Sequence, residues 1–365
     1  MILGSLYSGI GGLDLACEWA LGCTTVWQLD LVGADVRRRH WPDALHVESD
    51  VATVDPLDLP WIDVLCAGFA CQDLSCAGAG ASRDDLHAGS RTGPTWRGVV
   101  RFVEALRPEL VVLENVPAVL GRRVQIEAEL SEYGWTWCRA RALDAGAPHI
   151  RRRAFAVGVR GGVGGGVVDA PRDREWTAPS ERPWPTATCG DARASGSRSG
   201  EHNDAHDGTS LTDAVRADRS VAGERPWATA TCADARSGWT QEQAAKADRR
   251  NLLGDQTGGG RLNPSFVDSL MGYPIGWTLP AGEALTCDPS PRWPRGRYPA
   301  DWDRTVPWPG YDWEPARVLP DGPPIPGRPA RLRALGNAVV PQQGALAIRT
   351  ALGSLPLIHG EGGPK

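Results

Sequence analysis

At 365 residues, with 41% hydrophobic and 23% charged residues, the chain has an ordinary soluble globular composition with room for two domains, which excludes wholesale disorder. The net charge of -5 excludes a protein basic all over, yet residues 1–150 hold 12 Lys/Arg against 20 Asp/Glu and the remainder 27 against 24, so a polyanion would prefer the second part. No apolar run reaches the roughly 18–20 residues that cross a bilayer, "MILGSLYSGIGG" lacks the marks of a secretory signal, and nine scattered cysteines without a CxxC pair support neither a disulfide framework nor a zinc ribbon. The expectation is a cytoplasmic protein with free thiols.

The first 160 residues alternate short β-rich apolar runs with helical patterns, which predicts a doubly wound α/β domain with a parallel sheet. "MILGSLY" reads as a strand running into the loop "SGIGG", and Leu13, Ala16, Ala20 and Leu21 share one helical face. "TTVWQLD" and "WIDVLCAG" read as strands, with a short third strand between them before "ESDV". "GVVRFVEALRP" reads as a helix, "ELVVLENVP" as a strand into a turn, and "ALDAGAPHIRRRAFAVGV" as a loop leading to a last strand. Past Val159 the texture becomes rich in Gly, Pro, Arg and Trp, so a boundary is expected near residue 160. There "ERPWPTATCGDARASG" (181–196) recurs as "ERPWATATCADARSG" (224–238), two copies being too few for a solenoid. The duplication reads as a repeated loop or hairpin or as a paired recognition element. Regular pattern returns at 261–278 and again in "RLRALGNAVVPQQGALAIRTAL", an Asn-bearing turn entering an amphipathic helix.

Gly9, Gly11 and Gly12 lie between the first strand and first helix, where missing side chains let a ligand approach backbone N–H groups. Asp30 ends the second strand and Asp50 follows the third, the places where a doubly wound fold supplies carboxylates to a nucleoside. No Walker lysine suggests phosphate hydrolysis. Cys66 falls in the fourth strand's apolar run and reads as core, whereas Cys71 lies just past it among polar neighbours. Glu114 and Asn115 end the next strand, so a thiol and an acid share one row of strand ends, a pairing suited to adding to an electron-poor ring and protonating it. Read singly, either residue is as well explained as a packed cysteine or a surface glutamate. His202 and His206 are spaced for a metal only on a helix, and "EHNDAHDG" reads as a loop, so no metal is expected. The tryptophans concentrated after residue 134 could stack on bases, although packing explains them as well.

Taken in order, "LYSGIGGLDLA", "GFACQDLS", "VVLENVP", "APHIRRRAFAVG" and "RLRALGNAVVPQ" resemble the DNA cytosine carbon-5 methyltransferases of bacterial and phage type, over about residues 1–160 and 261–352. The resemblance implies a Rossmann-like methyltransferase domain at 1–160 and a smaller, loop-rich target-recognition domain at 161–325 with 261–278 bridging. Residues 326–365 would return to the catalytic domain. It implies S-adenosylmethionine as cofactor, with S-adenosylhomocysteine as product. Tyr7, Gly9, Ile10, Gly11 and Gly12 would line the cofactor, Asp30 would take its ribose, Asp50 and Val51 its adenine, and Asn337 would return to the cofactor side. Cys71 would be the nucleophile, Glu114 would bind and protonate the target ring, and Arg151 and Arg153 would hold the site and the flipped nucleotide. Gln72, Ser75 and Arg91 would contact DNA, with residues 89–96 in a mobile loop and its anchor. Double-stranded DNA is the implied partner, a cognate restriction endonuclease a candidate one, and a monomer associated with the nucleoid the implied state.

Four positions depart from the family pattern. Ala70 precedes the cysteine where Pro is usual, which loosens the loop because Pro would fix φ. Asp30 stands for the usual Glu, Ser5 for a common Asp, and His149 for the common Gln of the "QxRxR" pattern. Ala70 keeps a second reading open, a homologue that binds DNA but has lost efficient chemistry. RNA methylation is a third, with no distinctive motif behind it.

Overall fold

In a computed structural model of the chain, the described residues are 1–70, 86–87, 92–147, 149–171, 261–280, 282–283, 318–319 and 325–355. Cys71, Gln72, Ser75, Arg91, His202, His206 and both repeated segments lie outside them. The first half runs β1 (Ile2–Leu6), α1 (Gly12–Leu21), β2 (Thr24–Leu29), α2 (Ala34–His40), β3 (Leu45–Val47), β4 (Val64–Ala67), α3 (Thr92–Leu106), β5 (Leu110–Asn115), α4 (Arg123–Glu129), β6 (Tyr133–Arg141), β7 (Arg152–Arg160) and β8 (Gly166–Asp169). There follow β9 (Arg261–Leu262), α5 (Pro264–Leu270), β10 (Val318–Leu319), α6 (Arg328–Asn337) and α7 (Pro341–Gly353).

Alternation along the strands sets the layers. Val64, Cys66 and Val112 face one side with Leu13, Ala16 and Cys17 of α1 and Ala345, Ile348 and Ala351 of α7. Leu65, Ala67, Val111 and Leu113 face the other with Trp96, Val99, Phe102 and Val103 of α3 and Ile126 of α4. Both faces are therefore covered, and the central strands read as continuous apolar runs for that reason. Cys66, Cys17, Cys23 and Cys138 are buried free thiols, which agrees with Cys66 as core.

The eight strands lie in the order β3-β2-β1-β4-β5-β7-β6-β8. β1 pairs in parallel with both β2 and β4, and β4 with β5. The order reverses about β1, so a crevice opens at the carboxyl ends of β1 and β4, the switch point where ligands bind in such sheets. One expectation needs correction. The sheet is mixed, because β7 runs antiparallel to β5 and to β6. β8 then pairs in parallel with β6, Asp169 opposite Arg139. Gly-rich sequence there makes a strand because its backbone is paired by a neighbour, a signal absent from its side chains. Residues 92–96, expected in the mobile loop and its anchor, form the first turns of α3, with Trp96 fully buried.

The late segments fold back on this sheet. Gln343 of α7 donates its amide to the main-chain oxygens of Ala140 and Arg151 (both 2.8 Å), and Gly344 lies so close to Ala16 that a Cβ would stand 2.6 Å from that methyl group. α5 starts at Asn263, whose side chain accepts from the Ser265 N–H, with Pro264 in the first turn. Buried Asp268 fastens it to α6 through Arg331 (3.2 Å). No helix among the described residues is long and apolar enough to cross a membrane.

Candidate active site

Three strand ends build the glycine-loop side. Asp30, just past β2, accepts the Gly9 N–H at 2.8 Å and the Val32 N–H at 3.0 Å. Burial pushes its carboxyl above the usual range, opposed by those two hydrogen bonds. Beneath the loop, fully buried Arg37 donates to the main-chain oxygens of Gly9 (2.8 Å), Asp30 (3.2 Å) and Val32. One guanidinium thus closes the turn from β2 onto the turn from β1. Gly33, at φ +80°, permits this approach, because a Cβ there would run into the Gly9 carbonyl. Farther below, Asp14 of α1 accepts from Ser5 (3.0 Å) and Gln28 (2.6 Å), and burial raises its carboxyl to about 6.

The loop's other wall comes from the late segments. Trp277 donates its indole N–H to Ile10 O at 3.0 Å. Its ring stacks on His40 with centroids 3.4 Å apart and meets Trp41 edge-on. Tyr273 donates its hydroxyl to Val339 O at 2.7 Å, and a Cβ on Gly12 would press on both partners. The turn that follows Asn337 is thereby packed on Gly12, and Asn337 itself is exposed at the end of α6. Tyr7, with φ 56°, donates its hydroxyl to Thr95 O at 3.0 Å, and burial raises its phenol. Asp50 caps the turn carrying buried Val51, accepting from the Ala52 N–H at 2.9 Å.

On the far side of the crevice, Glu114 ends β5. Arg153 Nε lies 2.8 Å from Glu114 Oε1, with the two side chains 19% and 11% exposed, so the pair is shielded yet reachable. Its carboxylate borders Gly68, whose Cβ position is 3.5 Å from Glu114 Oε2 and 3.9 Å from Tyr7 O. The acid therefore faces the stem of the segment that enters Cys71, next to the glycine loop. Asn115 holds that stem by donating to Phe69 O at 3.1 Å.

Arg151 and His149 both take main-chain partners. Arg151 is buried and donates to the main-chain oxygens of Ala338 (2.6 Å) and Gly336 (3.2 Å), so it fastens the turn after α6, while Arg153 meets Glu114. The alternation of β-strand side chains separates them less than their partners do: Arg151 precedes β7 and is drawn to a turn 185 residues away. His149 is fully buried against Leu270 O (3.0 Å), and burial, with Arg151 beside it, lowers its imidazole to about 3. It is a neutral strut between the sheet and α5. Sequence reading missed Arg37 and Trp277. A basic run such as "VRRRH" suggests solvent, and a single Trp late in the chain carries no pattern that ties it to Ile10.

The residues present suit a nucleoside-bearing methyl donor. Each Asp30 oxygen holds one N–H and keeps a lone pair for a hydroxyl. Among the described residues, chain neighbours aside, no heavy atom stands within 4 Å of the Cβ position of Gly9, and Leu31 and Val32, 64% and 63% exposed, leave apolar surface beside Asp30.

A family model for C-5 cytosine-specific DNA methylase matches residues 1–182. The type II methyltransferase M.NgoFVII of Neisseria gonorrhoeae is 32% identical over 167 residues, 43% of this chain and 43% of that protein. M2.BsuMI of Bacillus subtilis is 34% identical over 165 residues, 42% of this chain and 40% of that protein. The matched part thus spans less than half the length of these relatives. Among solved structures, DNMT2 of Spodoptera frugiperda aligns over 97% of this chain and 98% of its own with a TM-score of 0.51 and 14% identity. S. pombe Dnmt2 methyltransferase gives 0.51 and 13% over the same shares. These two agree with the fold. With the family model matching residues 1–182 and both curated relatives being type II methyltransferases, the chain belongs to the C-5 cytosine-specific DNA methylase family.

Proposed function

We propose that the protein is a DNA cytosine-5 methyltransferase acting on a cytosine extruded from a short duplex sequence, with Cys71 as nucleophile. The observation that carries the reading is the 2.8 Å pairing of Glu114 with Arg153 beside Gly68, three residues before Cys71 and against the glycine loop. S-adenosylmethionine, held by Asp30 and the loop, with Tyr7, Asp50, Val51 and Asn337 around it, supplies an electrophilic methyl group.

The protein's own residues do the rest. Carbon 5 of cytosine is a weak nucleophile, so the Cys71 thiolate first adds to carbon 6. Glu114 shares a proton with ring nitrogen 3, which draws electrons toward that side of the ring and leaves carbon 5 electron-rich. After methyl transfer a base, such as a water molecule in the site, takes the carbon-5 proton, the carbon 5–carbon 6 double bond re-forms and the Cys71 thiolate leaves carbon 6. Arg153 orients the Glu114 carboxyl and favours the thiolate. Neither face of a stacked base is open to this attack, so the base must leave the helix, at a cost of a few kcal/mol. Residues 161–325 are assigned to target recognition, Gln72, Ser75 and Arg91 to DNA contact, and the cytoplasmic nucleoid is the site of action.

The test is incubation with duplex DNA containing 5-fluorocytosine and labelled cofactor. A covalent protein–DNA adduct that Cys71→Ala abolishes supports the reading. Tight duplex binding without adduct favours the homologue that binds DNA without chemistry, for which Ala70 is the motivating residue.

A further inference from the structure

Along one face, β6 changes character. Trp135 and Trp137 are buried in the core, and the next two residues on that face are Arg139 and Arg141. Across the antiparallel ladder Arg152 stands directly opposite Arg141. Like charges in that position destabilise a sheet. Two acids answer part of the charge: Asp144 binds Arg141 through Nε (2.9 Å) and Nη2 (2.6 Å), and Asp169 binds Arg139 through Nε (2.8 Å) and Nη2 (2.9 Å). Glu114 takes Arg153. Arg152 is exposed and has no acidic partner among the described residues. These four arginines and two aspartates line a cavity of about 310 Å³ whose wall also includes Pro117, three residues after Glu114. An arginine pair with one acid, open to a cavity beside the acid of the active site, is a seat for one further negative charge.

We propose that this cavity binds a phosphodiester of the duplex backbone, with Arg152 as its principal ligand and Arg141 as the second. The proposal rests on DNA as the substrate and adds to it a backbone contact on β6 and β7, apart from the residues that hold the base. A guanidinium fork matches phosphate oxygens with two parallel hydrogen bonds, and the cavity has room for the flanking sugar and water. Binding would offset the repulsion between Arg141 and Arg152, which stand opposite each other in the ladder.

The experiment measures affinity of the full chain for a 30-base-pair duplex as a function of salt, for the wild type and for Arg152→Gln. One lost phosphate contact lowers the slope of log affinity against log salt by about 0.9, and the weakening should be similar for duplexes of unrelated sequence. Arg152 is exposed, so Arg152→Gln should fold, and an unchanged near-ultraviolet circular dichroism spectrum checks this. Arg152→Glu, which would repel the backbone, should lower affinity further. An unchanged slope in both variants overturns the proposal while leaving DNA as substrate intact. A wild type that binds no duplex at all overturns both. Inorganic phosphate is titrated separately: binding that Arg152→Gln weakens, with the duplex slope unchanged, assigns the seat to free phosphate and overturns the backbone contact.

Discussion

At the glycine loop, buried side chains grip the main chain: Arg37 holds three carbonyls, Asp30 two N–H groups and Trp277 a carbonyl. At the arginine end of β6, side chains grip one another, and the Arg139–Asp169 pair is 54% and 52% exposed. Exposed pairs contribute little, about 0–1 kcal/mol, and salt screens them. Unmade buried hydrogen bonds cost far more. The two regions share the carboxyl edge of one sheet, so the difference is one of task. The loop is fixed before any ligand arrives, whereas the arginines can exchange partners when one does.

The largest effect is expected between the two regions, at the acid itself. Glu114→Gln should lower kcat by about 10²–10⁴-fold, the range for loss of a general acid, while cofactor affinity measured by calorimetry stays near the wild type. An equal loss of cofactor affinity would mean that Glu114 belongs to the loop rather than to the reacting edge. Next comes Arg37→Met, which removes three part-buried hydrogen bonds to main-chain oxygens and should cost about 3 kcal/mol in urea unfolding. A loss that vanishes in high salt would place Arg37 with the screened surface pairs, since main-chain anchoring is not screened.

A smaller, pH-dependent effect is expected at Asp14. Its carboxyl sits at about 6 when folded against 3.8 ordinarily, so the folded chain retains a proton that the unfolded chain releases. The stability this contributes is full below about 3.8 and lost as pH rises through about 6. Asp14→Asn should therefore stabilise the protein at pH 8, on the order of 2 kcal/mol, and leave it unchanged at pH 3.5. Paired urea titrations at the two pH values decide the matter, and equal gains at both would refute burial as the cause. The smallest effect is Trp277→Phe, which keeps a ring on His40 but removes the donor to Ile10 O. A loss of about 1 kcal/mol and a higher cofactor KM with kcat preserved are expected. A loss confined to kcat would move Trp277 to the reacting edge.

Much of the cofactor half was legible because local rules agree there. Apolar runs, glycines and terminal acids are short-range signals, and β1, β2, β3, β4 and β5 lie as their order implied, with Asp30 and Glu114 at strand ends. β6 escaped because "YGWTWCRAR" mixes tryptophan and arginine on one face, and only the partner strands β7 and β8 give it a direction. Arg37 escaped because its burial is set by three carbonyls contributed by turns, which no spacing announces. Arg151 kept its place in the motif but took a main-chain partner, and a motif names residues without naming what they touch. Cys71 and the duplicated segments lie outside the described residues, so the part proposed for Cys71 rests on its neighbours Gly68 and Phe69.

The bond from Trp277 to Ile10 joins residues 267 positions apart in the chain. A ribosome adding about 5–20 residues per second would finish β1 to β5 many seconds before that indole emerges. During that interval the first strands can pair, but the glycine loop lacks its cover of Trp277, Tyr273 and the turn after α6. Closing so wide a circuit is slow and comes late, so the nascent chain acquires its sheet first and a finished glycine loop last. A truncated translation product that ends before residue 261 would therefore carry the arginine end of β6 without that loop completed.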